Sequence, residues 1–372
     1  MSFDLEGSRS GYADNELALM DSFGALLDDH CPAALTRSQV EDPLASADDL
    51  WKRLGAAGWT AALYPEELGG QGLGLAEAAA LLVEAGRHLL PGPFFTSAVL
   101  VPMALSMAQG VDKPNGMGDV VEGRRVAALA LLESVSSFPD VPVRACIRDG
   151  KVTGTKKFVL DGARADFFLV LAADEDGRPG LAWVAKTPAV EVLAHPTVDG
   201  RRVCTVTLHG AKAAAVFALN AERLREMQLR GAVLTAAYQL GAAEKALWLA
   251  ADYARTRVQF DRPIGAFQAI SHRLVDAYCA LGVGRALLQK AARAADDEFF
   301  PVAASRAKVW INDAFRSTAK GALQTFGGIG FTFEHDIHLY FRASHSLAAE
   351  FGSSADHRCL LRAQVGLAGA AA

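Results

Sequence analysis

The sequence has few cysteines, no excess of basic residues and no long apolar run, and each shortage excludes a class of protein. Its five cysteines are far apart among 372 residues and form no C-x-x-C pair, which argues against a disulfide framework and against a zinc site. The 37 lysines and arginines are outnumbered by 42 aspartates and glutamates, so nucleic acid is not an expected partner. No apolar run of about 18 residues occurs, and the N-terminus lacks the basic and apolar regions of a signal peptide. We therefore expect a cytoplasmic protein without a membrane span.

The composition is that of a globular protein with a core of its own. Hydrophobic residues make up 51% of the chain and charged residues 21%. At about 150 residues per domain, the length suggests two or three domains, none of which needs a disulfide or a metal as a staple.

Three blocks of different periodicity follow one another along the chain. From residue 13 to about 110, apolar residues such as Leu17, Met20 and Phe23 recur at helical spacing. From about 120 to 217, short apolar runs alternate with turn signals such as Asp149-Gly, which is typical of a small sheet or barrel. From Ala221 onward the pattern is helical again.

These blocks predict an α+β multidomain fold. We expect an N-terminal α-helical domain over residues 1–118, a central small β-sheet or β-barrel domain over 119–218, and a C-terminal four-helix bundle over 219–372. A Rossmann unit is not expected, because no strand of the central block alternates with a long helix.

Four segments carry a family resemblance that none of them would carry alone. They are Tyr64-Pro-Glu-Glu-Leu-Gly-Gly-Gln-Gly, the run from Val152 to Asp166, Arg257-Val-Gln-Phe-Asp-Arg-Pro-Ile-Gly-Ala-Phe-Gln268 and Gln324-Thr-Phe-Gly-Gly-Ile-Gly-Phe-Thr-Phe-Glu-His. In this order they resemble the motifs of the acyl-CoA dehydrogenase family over nearly the whole chain. The resemblance implies FAD, a dimer or a dimer of dimers, and a flavin site built across a subunit interface.

The two C-terminal motifs imply the residues on the adenosine side of FAD. Arg257 matches the arginine that faces the pyrophosphate, where a fixed guanidinium forms paired hydrogen bonds to phosphate oxygens. Phe260 and Gln268 match residues beside the adenosine. Gln324, Gly327 and Gly328 match the turn whose backbone approaches phosphate closely. In the alternative interpretation, Arg257 is an ordinary charge at a helix C-terminus and the glycines form only a turn.

The flavin-ring side resembles the family less well. Phe158 matches an aromatic residue that packs against the flavin, although it is also an acceptable core residue of a strand. Leu160 stands where many relatives have a threonine that hydrogen-bonds the flavin, and leucine has no hydroxyl for that bond. The segment 132–141 keeps Glu133 and Ser134 but lacks most of the family's flavin and substrate loop.

The resemblance implies that a carboxylate removes the α-proton of an acyl thioester while a β-hydride passes to the flavin. The two usual positions of that base fall on Phe351, which precedes Gly352-Ser353, and on Gly231. Glu350 is adjacent to the first position, but one helical step turns a side chain by about 100°. Three hypotheses remain: Glu350 is the base, an unpredicted residue is the base, or the chain is the base-lacking subunit of a heteromeric dehydrogenase.

The predicted function is FAD-dependent α,β-dehydrogenation of an acyl-CoA or a carrier-bound acyl thioester, by a homo- or hetero-oligomer (a dimer or tetramer) that passes electrons to an electron-transferring flavoprotein. The alternatives are a non-catalytic subunit that completes a partner's FAD site, and a flavin oxidase or monooxygenase on the same fold. Acyl hydrolysis is disfavoured because no Gly-x-Ser-x-Gly pattern occurs. His335, His338 and His345 share helical spacing but lack an acidic ligand cluster, so no metal is expected.

Overall fold

The computed structural model describes residues 5–42, 46–110, 113–136, 138 and 142–364. Eleven α-helices and nine strands are present in these ranges. The helices are α1 (Asp14–His30), α2 (Ala33–Glu41), α3 (Asp48–Ala56), α4 (Leu75–Arg87), α5 (Val101–Ser106), α6 (Met117–Val121), α7 (Ala221–Thr256), α8 (Gln268–Arg293), α9 (Phe300–Phe326), α10 (Ile337–Ser346) and α11 (Ser354–Gln364). The order of helices, sheet and helices confirms the predicted fold class.

The strands lie between α6 and α7, with one short hairpin after α7. They are β1 (Ala127–Ala130), β2 (Cys146–Arg148), β3 (Lys151–Leu160), β4 (Phe167–Ala173), β5 (Pro179–Ala185), β6 (Val190–His195), β7 (Val203–Ala218), β8 (Val258–Gln259) and β9 (Arg262–Pro263).

The central strands close into a small barrel. The pairs β4–β2, β2–β3, β3–β7, β7–β5 and β5–β4 form a ring, with β1 added to β4 and β6 added to β7. Every residue of β4 is buried, and its Phe168 and Val170 belong to the barrel core with Val206 of β7. Leu169 and Leu171, which alternate with these residues, are also fully buried, so both faces of the strand are covered and it is a continuous apolar run rather than an alternating one.

Apolar spacing selects the helices as expected. In α1 the side chains of Met20, Phe23 and Leu27 are buried, and the Glu16 carboxylate accepts the Ala13 amide at 2.8 Å to cap the first turn. In the segment before α5 the helical backbone is wider, because Phe94–Leu100 forms a π-helix. The C-terminal block also contains a short fifth helix, α11, that the periodicity did not predict.

The chain divides into two compact units. The first comprises Met1–Arg37, Leu75–Leu90 and Ala232–Ala372, and the second comprises Ser38–Gly74 and Pro91–Gly231. Glycines let two helices of the first unit cross closely, because a Cβ on Gly86 would lie 1.9 Å from the Tyr238 carbonyl and one on Gly241 would lie 1.8 Å from the Val83 carbonyl. The two predicted boundaries between the three domains remain predictions. Across the described ranges, no helix is both long enough and apolar enough to span a membrane.

Candidate functional site

The motif that begins at Arg257 forms a tight hairpin at the end of α7. The Arg257 amide donates to the Tyr253 carbonyl at 2.9 Å, and the Ile264 amide donates back to the Arg257 carbonyl at 2.9 Å. Phe260 and Asp261 make the turn with φ of 53° and 64°, and the Phe260 ring is 86% exposed. The turn after α7 therefore exposes both the Phe260 ring and the Arg257 side chain.

The motif that begins at Gln324 lies beside the end of α7. Helix α9 ends at Phe326, whose ring stacks on Tyr253 of α7 with centroids 4.3 Å apart. This stack brings the ends of α7 and α9 together. Gln324 and Gly328 are exposed, and a Cβ on Gly327 or Gly328 would meet no atom within 4 Å. Gly327 also has φ of 60°, which favours glycine.

This end of the first unit fits an anionic group. Arg257 is exposed, and its guanidinium makes no ion pair or hydrogen bond with any described residue. Gln268 is exposed at the first position of α8. A free guanidinium beside an open glycine turn has the donors that a pyrophosphate requires. All six residues predicted for the adenosine side lie in the first unit, after the ends of α7 and α9 or within one turn of a helix end there.

The flavin-ring residue Phe158 lies in the second unit, on β3. The register of β3 against β7 shifts between Lys156 and Val159, and within this bulge Phe158 has φ of 55° and is 48% exposed. A strained, half-exposed aromatic residue on a bulge is not an ordinary core residue, so the functional interpretation is favoured. Leu160 pairs with Val203 and supplies no hydrogen-bond donor from its side chain.

A buried ion pair supports this strand, and the sequence analysis missed it. The Lys156 ammonium, fully buried, lies 2.6 Å from the Glu133 carboxylate and 3.3 Å from the Leu131 carbonyl. The same carboxylate accepts the Arg144 and Ala145 amides, each at 2.8 Å. Burial acts to raise the pKa of Glu133, but the Lys156 hydrogen bond and the two amides outweigh it and lower that pKa. Residues 137 and 139–141 of the predicted loop lie outside the described residues.

The candidate base Glu350 lies on a turn between α10 and α11. It follows a 3-10 turn, Leu347–Ala349, and is itself extended. Phe351, at the family's position for the base, has φ of 50°, and Gly352 has φ of 102°. Gly231, at the second position, is an interior residue of α7.

Two of the acids of α7, Glu226 and Glu244, are engaged by arginines. Glu226 accepts hydrogen bonds from Arg223 and Arg230 at 2.8 Å. Glu244 is buried and accepts hydrogen bonds from Arg87 at 2.8 Å and Arg285 at 2.6 Å. Both carboxylates are committed to ion pairs within the fold, so neither is free to act as the base at the second position.

His335, His338 and His345 each lie against the ring of a neighbouring phenylalanine. His335 lies 4.1 Å from the Phe326 ring and His338 lies 5.0 Å from the Phe333 ring, as centroid distances. Burial lowers the pKa of His335. In the part of the chain that the structure describes, no group of three histidine, cysteine or acidic residues is placed to hold a metal ion.

Comparison with known proteins identifies the fold. The N-terminal domain of acyl-CoA dehydrogenase matches residues 13–109 and the C-terminal domain matches residues 219–366. Acyl-CoA dehydrogenase FadE27 of Mycobacterium tuberculosis is 32% identical over 317 residues, which cover 82% of this chain and 85% of that protein.

Solved structures agree. The ChsE4-ChsE5 complex of Mycobacterium tuberculosis contains a chain that is 30% identical, with a TM-score of 0.86 over 97% of this chain and 99% of that one. A variant of the Tcur3481-Tcur3483 steroid ACAD is 28% identical, with a TM-score of 0.85 over 96% and 99% of the two chains. This chain therefore belongs to the acyl-CoA dehydrogenase family: it is an oxidoreductase acting on CH-CH groups, and its cofactor is FAD.

Proposed function

We propose that this chain is one subunit of a hetero-oligomeric, FAD-dependent acyl-CoA dehydrogenase. The observation that carries the proposal is a split between two sets of residues. The adenosine-side set is complete and includes an unpaired Arg257 guanidinium and an open glycine turn. On the other side, Leu160 and Phe351 lack the hydroxyl and the carboxylate that many members of the family have at these positions. A subunit that lends one half of a shared site to a partner needs only the first set.

The relatives support the same assembly. ChsE4-ChsE5 is named as a complex of two chains, and the steroid ACAD Tcur3481-Tcur3483 also carries two chain names. A related acyl-CoA dehydrogenase chain is therefore the proposed partner. A steroid-linked acyl-CoA is the first substrate to test, beside straight-chain acyl-CoAs and a carrier-bound acyl thioester. An electron-transferring flavoprotein is the proposed electron acceptor.

The residues of this chain divide the work as follows. Arg257 binds the pyrophosphate, with the backbone of Gly327 and Gly328 beside it. Phe158 packs against the flavin ring. A carboxylate takes the α-proton of the acyl thioester, and its three candidate sources are Glu350, another acid of this chain and the partner subunit. When bound, FAD accepts the β-hydride, so the acyl thioester is oxidised as the flavin is reduced.

The first experiment measures FAD content and anaerobic reduction. The chain is purified alone and after coexpression with a related chain, and each form is mixed with an acyl-CoA while flavin absorbance is followed. We expect little FAD in the chain alone, near-stoichiometric FAD per shared site in the assembly, and bleaching by an acyl-CoA. Full FAD content and bleaching in the chain alone would overturn the hetero-oligomer. FAD without bleaching in every form would favour the non-catalytic subunit, and rapid reoxidation by oxygen would favour an oxidase or monooxygenase.

A Glu350→Gln variant of the assembly then tests Glu350 as the base. Loss of bleaching with FAD retained assigns the proton to Glu350. Unchanged bleaching excludes Glu350 and leaves another acid of this chain or the partner subunit as the base.

A further inference from the structure

The turn that carries Glu350 has a strained conformation. Phe351 follows Glu350 with φ of 50°, a conformation that a bulky side chain adopts only when surrounding contacts impose it. Some part of the first unit must therefore hold residues 347–352 in place.

Buried side chains of α9 and α11 hold three carbonyl oxygens of this turn. The pairs are Lys308 Nζ to Leu347 O at 3.3 Å, Asn312 Nδ2 to Ala348 O at 3.1 Å, and His357 Nε2 to Phe351 O at 2.8 Å. All three donors are at most 1% exposed. The turn is thus fixed through its backbone on both sides of Glu350.

A second layer orients the first two donors. Gln239 of α7 is fully buried, and its Nε2 donates to Asn312 Oδ1 at 2.6 Å. The Lys308 ammonium in turn donates to Gln239 Oε1 at 3.4 Å. Such a network costs stability if any member is left unpaired, so each amide can point in only one way.

The third donor is a neutral histidine. Burial lowers the pKa of His357, with a smaller contribution from the nearby Lys308 charge, while the hydrogen bond to Phe351 opposes the shift. A carbonyl oxygen only accepts, so Nε2 carries the proton. His357 Nδ1 then accepts from the Ser305 hydroxyl at 3.2 Å.

We propose that Lys308, Asn312 and His357 are positioning residues that fix the direction in which Glu350 leaves the turn. The inference rests on the proposed function, and within it on Glu350 as the base. A buried lysine and a buried amide are expensive ways to hold a turn, since apolar packing holds most turns at lower cost. They are worth that cost where a misplacement of about 1 Å slows a reaction by about 100-fold.

A double-substitution cycle tests this in the FAD-loaded assembly. Asn312→Asp keeps the oxygen that accepts from Gln239 and removes the donor to Ala348. We expect Asn312→Asp to slow anaerobic flavin reduction by about 10- to 100-fold at saturating acyl-CoA. Combined with Glu350→Gln, it should add nothing further, because it acts through Glu350. Thr318→Val is the matched control: it lies buried on the same helix, its hydroxyl has no partner among the described residues, and it should leave the rate unchanged.

Two further readouts keep the inference falsifiable. His357→Gln retains an N–H donor and should restore most of the rate that His357→Leu loses. Amide hydrogen exchange in a peptide covering 347–353 should be faster in Asn312→Asp than in the wild type, with α1 unchanged. Additive effects in the cycle, or a Glu350→Gln variant with full activity, would overturn the inference. If no acyl-CoA reduces the wild-type assembly, the proposed function fails instead, and an unchanged exchange rate would then reject the positioning role separately.

Discussion

The adenosine-side surface and the flavin-ring strand differ in whether their polar groups are free for a ligand or paired within the fold. At the ends of α7 and α9, the groups suited to a ligand are not used by the fold itself: the Arg257 guanidinium has no partner among the described residues, and the glycine turn is open. On β3, by contrast, the groups that support the fold are present, since Lys156 and Glu133 form a buried pair. The position for a ligand-binding hydroxyl is instead the aliphatic Leu160.

This difference shows that the scaffold of a site and its ligand contacts are separate sets of residues. A strand can keep its bulge, its ion pair and its barrel partners while losing a hydrogen bond to a cofactor, because packing depends on the inward residues and binding on the outward ones. Four predictions test the contrast, in order of decreasing expected effect.

Breaking the support of the flavin-ring strand should have the largest effect. Lys156→Met leaves the Glu133 carboxylate buried without its cation, and we expect the free energy of unfolding of the barrel unit to fall by about 3–5 kcal/mol. Hydrogen exchange of peptides from β3 and β7 along a urea series measures it. Lys157→Met, at the exposed neighbouring position, is the control and should change stability by less than about 0.5 kcal/mol. Equal losses in the two variants would show that the ion pair contributes nothing.

Removing the free cation should weaken the adenosine side next. Arg257→Ala is expected to raise the Kd of the assembly for FAD by about 10- to 100-fold, the value of one or two charge-assisted hydrogen bonds. Arg257→Lys should fall in between, because an ammonium cannot form the paired bonds of a guanidinium. Arg255→Ala, two residues away on an arginine paired with Asp252, is the control. Titration with FAD measures all three, and a Kd for Arg257→Ala within twofold of the wild type would contradict the assignment.

Adding a hydroxyl at position 160 should increase the affinity for FAD by a smaller factor. Leu160→Thr offers a hydrogen bond of about 1 kcal/mol, so FAD should bind roughly fivefold more tightly. Leu160→Val has nearly the shape of threonine without the hydroxyl and isolates the effect of the hydrogen bond. Equal FAD affinity in the two variants would mean that residue 160 does not approach the flavin.

Acid should destabilise the first unit at a higher pH than the second. The change in stability from each titrating residue is the smallest of the four expected effects. The pKa of buried His357 is lowered in the folded state, so the unfolded chain binds the proton first, and stability is lost as the pH falls below about 6.5. The pKa of Glu133 is also lowered, so its contribution persists to lower pH and is lost only below about 4.5. Hydrogen exchange along a pH series should therefore show the first unit opening before the barrel. His357→Gln should make the stability of the first unit depend less steeply on pH near pH 6. Some dependence should remain, because His335 also has a lowered pKa. Barrel opening first would contradict the prediction.

The sequence by itself determined the features that depend on neighbouring residues. The order of helices, strands and helices follows from apolar spacing, which is local. The glycine turn at Gly327 and the hairpin at Arg257 were likewise predictable, because φ preferences and motif spacing act over a few residues. The family, its cofactor and its CH-CH chemistry followed from those motifs.

Only the tertiary structure decided what depends on distant residues. Lys156 and Glu133 are 23 positions apart, and Lys308 and Gln239 are 69 apart; in the sequence each is an ordinary polar residue. Glu244 shows the same limit, since nothing local distinguishes an exposed helical acid from one buried between Arg87 and Arg285. Burial is a property of the assembled fold. A charge reveals its role only when another element supplies its partner, and the physical reason is that desolvation and pairing have no counterpart in local sequence.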